Sequence, residues 1–99
     1  MRQDIRLPRE EFELLSALVE AARNVPPDES DSFMIIQQNA TTMLVLTHLS
    51  REVPVSRRVL GELLRRQLLK YDIKDGAEHF TVTDNGFAYY DQVTRQPTQ

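Results

Sequence analysis

Apolar positions recur every three to four residues over the first part of the chain. Phe12, Leu15, Leu18, Val19 and Ala22 share one side of a helical wheel, while Glu10, Glu13, Glu20 and Arg23 fall mostly off it, as in a helix with one buried face. Pro8 and the acidic pair Glu10-Glu11 suit its start, and Pro26-Pro27 forbids its continuation. The spacing predicts a helix over about 9–23 and a connector over 24–40. Within the connector, Asp28-Glu29-Ser30-Asp31-Ser32 holds three carboxylates without further ligands around them, and reads as a solvated loop rather than a cation site. Phe33-Met34-Ile35-Ile36 is too short for periodicity to separate a strand from a buried helical turn; the turn is the working expectation.

Thr41-Thr42 offers an N-cap for a second helix over about 41–51, carrying Met43, Leu44, Leu46 and Leu49. Pro54 biases Val53 away from the helical region, and Ser56 can cap a third helix over about 56–69. Val59, Leu60, Leu63, Leu64 and Leu68 make one face of it, with Arg58, Glu62, Arg65 and Arg66 on or near the other. Two alternating runs around Asp75-Gly76 then predict a β-hairpin over about 70–83, its apolar face of Ile73 with Phe80 or Val82 leaning on the helices. Thr83 or Asp84 caps a last helix over about 84–95 with Phe87, Tyr90 and Val93.

Ninety-nine residues, 40% hydrophobic and 27% charged, fit one domain covering 1–99. The chain has no cysteine, which excludes disulfides, thiolate metal sites and a cysteine nucleophile. No apolar run approaches the roughly 20 residues of a bilayer span, so a cytoplasmic protein without a membrane partner is expected. Formal net charge is -3, yet it is unevenly spread. Between Arg51 and Lys74 lie seven basic residues (51, 57, 58, 65, 66, 70, 74) and three acidic ones (52, 62, 72), a balance of +4 that leaves -7 for the rest. Such segregation can steer one surface towards a polyanion.

The order of elements, with Val55-Ser56-Arg57-Arg58-Val59-Leu60 as a turn into a helix and Phe80-Thr81-Val82-Thr83-Asp84-Asn85-Gly86 as a hairpin ending, resembles the winged helix-turn-helix domain of multiple-antibiotic-resistance and phenolic-acid type regulators. The resemblance implies an α+β fold, mostly helical with a small antiparallel β-hairpin wing. It also implies sequence-selective binding of double-stranded DNA by a small transcription regulator, with the helix over 56–69 in the major groove. Arg57 and Arg58 are then the candidates for base edges and Ser56 for a phosphate, while Arg65, Arg66, Lys70 and Lys74 hold backbone phosphates. The bland reading of the same arginines is a solvated face with i,i+4 pairs such as Arg58 with Glu62.

Two departures stand out. The expected Gly after the recognition helix is replaced by Arg66-Gln67-Leu68, and the hairpin tip is acidic, with Asp72, Asp75 and Glu78 around Lys74. The acidic tip favours the alternative, a winged-helix protein-interaction adaptor without direct DNA contact. A homodimer is a further expectation: of Phe87, Tyr89 and Tyr90 in the last helix, two rings serve the domain's own core and the third is the one that suggests pairing. His48 and His79 lack any catalytic motif around them and read as structural; neither an enzyme nor a cofactor is expected.

Overall fold

A computed structural model describes residues 7–26, 28, 31–38, 40–46 and 51–94. The elements are α1 (Arg9–Arg23), β1 (Phe33–Gln38), β2 (Thr41–Leu46), β3 (Arg51–Val55), α2 (Arg57–Arg65), β4 (Leu69–Lys74), β5 (Ala77–Val82) and α3 (Asp84–Thr94). All five strands join one antiparallel sheet in the order β3-β2-β1-β5-β4. The chain is α+β, but it is not the mostly helical winged helix-turn-helix expected from the sequence. Of the stretch assigned to a second helix over 41–51, Thr41–Leu46 is strand β2, 47–50 lie outside the described residues and Arg51 begins β3, while the residues at 33–38 are β1 rather than a helical turn.

The reason lies in pairing. Thr41, Thr42 and Val45 are β-branched and favour extended backbone. β2 runs back along β1, with Gln38 opposite Thr41 and Met34 opposite Val45. Each strand is too short for its own periodicity to declare it, so partner strands decide.

α1 matches its predicted bounds. α2 is shorter than the predicted 56–69, because the chain leaves the helix at Gln67, whose φ is +64. Leu68 N–H donates to Leu63 O at 3.0 Å and Gln67 N–H to Leu64 O at 2.9 Å, a Schellman-type stop in which glutamine adopts the left-handed backbone usually given to glycine. The hairpin is as predicted: Asp75 and Gly76 have φ of +53 and +78, the primed turn that Asp-Gly favours. It does not stand apart as a wing, since β5 pairs with β1 through Phe33–Phe80 and Met34–His79.

The helices cover one face of the sheet. Leu15, Leu18, Val19, Phe33, Leu44, Leu63, Phe80 and Val82 form the core between the layers. Ile73, expected to pack there, is 59% exposed, and Tyr71 lies against Phe80 instead, with ring centroids 5.4 Å apart. α3 is tied to α1. Arg23 donates to both Asp91 carboxylate oxygens at 2.7 and 2.9 Å and lies over the Phe87 ring, while Phe12 meets Tyr89 and Tyr90 at 6.2 and 6.3 Å. Phe87, Tyr89 and Tyr90 all pack, partly buried, against the chain's own core, two of them as expected from the sequence and the third in addition.

Candidate functional site

The predicted phosphate-binding residues do not form one surface. Ser56 occupies the N-cap position of α2, with its side chain making no capping bond. Arg57 and Arg58 are exposed on the first turn of that helix. Arg58 is paired with Glu10 of α1 at 2.6 Å, Arg66 with Glu11 at 2.9 Å and Arg65 with Glu62 at 2.6 Å. The hydrogen bond from Arg65 holds the Glu62 carboxyl below its ordinary range and raises the guanidinium. The exposed pairs Arg58–Glu10 and Arg65–Glu62 are weak, while Glu11 beneath Arg66 is buried; in all three the carboxylate stays beside the arginine and repels an approaching phosphate. The +4 balance counted along the sequence ignored α1, whose Glu10 and Glu11 pair with Arg58 and Arg66 of this stretch and offset half of it.

Lys70 and Lys74 point elsewhere. Leu69 and Tyr71 face the helices, so alternation turns Lys70, Asp72 and Lys74 to the opposite side of the sheet. Four residues of strand set the two lysines about 14 Å apart. Of the seven predicted contact residues, only Arg57, Lys70 and Lys74 are cations without an ion pair, and they share no face.

One detail of α2 has no internal explanation. Gly61 is exposed, in mid-helix, and a Cβ there meets nothing within 4 Å. Arg57 and Arg65 lie one turn to either side. Gly61→Ala is expected to raise stability by about 0.5–1 kcal/mol through helix propensity, measured as a shift in the urea midpoint.

The sheet face turned away from the helices carries a different pattern. Met34 and Ile36 of β1, Met43 and Val45 of β2 and Pro54 of β3 all point to it, and none of them packs against the core cluster, whereas their neighbours Phe33, Ile35, Leu44, Val53 and Val55 do. Antiparallel sheets that face water on one side alternate apolar and polar positions. Here β1 and β2 are apolar on both sides over Phe33–Ile36 and Met43–Val45. Among the described residues, no helix or strand lies over this second face.

Its margins are charged. Glu52, Val45, Met34, His79 and Asp72 form one row across the sheet from β3 to β4. The His79 ring is half-buried in this row, and its Nδ1 is enclosed without a hydrogen-bond partner. His48 lies outside the described residues. Sequence reasoning missed this face because it left Phe33–Ile36 between strand and helical turn and took 41–51 as helical. The available signal was the unbroken apolar character of both runs.

Among the described residues, no group of three or more His, Asp or Glu is arranged to hold a metal ion, and no helix is long and apolar enough to cross a membrane. Fold and surface together define a two-layer α+β domain with an apolar, half-buried sheet face over which none of the described helices lies. No protein-family model, curated protein or solved structure matches the chain.

Proposed function

We propose that this chain is a protein-interaction module, not an enzyme, that docks another polypeptide on the helix-free face of its sheet, in the cytoplasm. The observation that carries the reading is the contiguous set Met34, Ile36, Met43 and Val45, turned away from the core. Contiguous apolar surface of this kind marks interaction sites. Binding of double-stranded DNA by α2 is the second reading, favoured by the open backbone at Gly61 between Arg57 and Arg65. It is weaker, since Arg58, Arg65 and Arg66 already lie against carboxylates.

The test combines stability with contact. Ile36 and Met43 are half-buried and lie outside the core cluster, so Ile36→Lys/Met43→Lys is expected to cost no more than about 2 kcal/mol and to leave the chain folded. The same pair should abolish the polypeptide adducts formed in cells by a photoreactive p-benzoylphenylalanine at Val45. Unfolding of the double variant, absence of adducts, or adducts to nucleic acid alone overturns the reading.

A further inference from the structure

We propose that the occupant of the helix-free face is a second copy of this chain, docked face to face about a twofold axis that runs parallel to the strands between β1 and β2. This rests on the reading above that the face binds a polypeptide.

Edge-to-edge association is opposed on both sides of the sheet. β3 carries Pro54, which lacks an N–H, and β4 carries Lys70, Asp72 and Lys74, charges of the kind that protect an edge. The face remains. Its apolar residues lie in two rows, Val45–Met34 and Pro54–Met43–Ile36, which two residues along from His79 and Asp72 run on to Ala77 and Lys74.

Charge selects the axis. An axis across the strands sets Glu52 against its own symmetry mate or against Pro54, leaving a carboxylate with no cation in a dry interface. An axis along the strands keeps each row at its own height and reverses its order. Val45 then lies over the partner copy's Met34, Met43 over its Ile36 and Pro54 over its Ala77, each contact made twice, as an isologous interface requires. Glu52, exposed on its own chain, falls over the half-buried imidazole of His79. Sheets pack about 10 Å apart, a gap that a glutamate and an imidazole span together. Within one chain the same two residues are three strand spacings apart, about 14 Å, so only a second copy brings them together. Asp72 and Lys74 stay beyond the overlap, in solvent.

Sedimentation equilibrium of the full chain tests this. Wild type is expected to dimerise, with Glu52→Lys and His79→Glu each weakening the dimer about tenfold or more. Glu52→Lys/His79→Glu, which restores opposite charges, is expected to recover most of the loss. Glu52 is exposed at a strand edge, so Glu52→Lys remains informative even where His79→Glu fails to fold, and Glu52→Gln should fall between it and wild type. A dimer indifferent to Glu52→Lys, or losses that simply add in the double variant, overturns the arrangement. A wild-type monomer whose position-45 crosslinks capture a different polypeptide overturns the second-copy proposal and leaves the interaction reading standing; a monomer without adducts overturns both.

Discussion

Gly86→Ala is expected to cost the fold about 3 kcal/mol and to lower the thermal midpoint by about 12–24 °C. A Cβ at this position collides with the Leu68 carbonyl oxygen and lies 2.8 Å from Val82 Cγ1. The carbonyl cannot step aside, because it accepts the Thr83 N–H at 3.1 Å, while Thr83 Oγ1 donates to Gln67 O at 2.8 Å and accepts the Gly86 N–H at 3.0 Å. The left-handed stop of α2 and the capped start of α3 are thus locked against each other, and glycine is the residue that lets them touch. Alanine gains about 1 kcal/mol of helix propensity, which the collision outweighs. A circular-dichroism melt with an unchanged or raised midpoint contradicts this account of the Thr83–Gly86 turn.

Arg66→Met is expected to destabilise by about 2–3 kcal/mol. Glu11 is 4% exposed, the one buried charged residue among those described, and Arg66 Nε donates to it at 2.9 Å. Removing the guanidinium leaves a carboxylate out of water without its partner, and a partly exposed arginine moderates the 3–5 kcal/mol typical of a fully buried pair. Glu11→Met/Arg66→Met, which removes both charges, is expected to lie within about 1 kcal/mol of wild type. Urea denaturation of the three proteins decides. A neutral single variant shows that the pair is not structural and returns Arg66 to the set of cations available to a ligand.

These expectations mark where the sequence was legible. α1 was readable because fifteen residues give its apolar stripe four turns, and the β4–β5 hairpin because Asp75-Gly76 demands a turn with two positive φ values. β1 and β2 were not, since six residues of mixed apolar character take their conformation from partners distant in sequence. The Gln67 stop was hidden for a related reason: the hydrogen bonds from Thr83 that hold it, Oγ1 to Gln67 O and N–H to Leu68 O, come from tertiary structure. The candidate site fared worse than the fold. Arginines counted as free along the chain are paired with Glu10 and Glu11, which only folding brings near, and the lysines alternate to the other side of the sheet. What the sequence did carry, unrecognised, was the apolar run on both sides of two adjacent strands.

The central claim is that this second side is open in a single copy of the chain and closed by a partner. Relaxation of the Met34 and Met43 methyl signals by a soluble paramagnetic reagent measures it directly, with Leu44 methyls as the buried reference. The account predicts strong broadening of Met34 and Met43 in dilute protein or in Glu52→Lys, and protection at high wild-type concentration. Protection equal to that of Leu44 at every dilution would contradict it, because the face would then be covered by the chain's own residues.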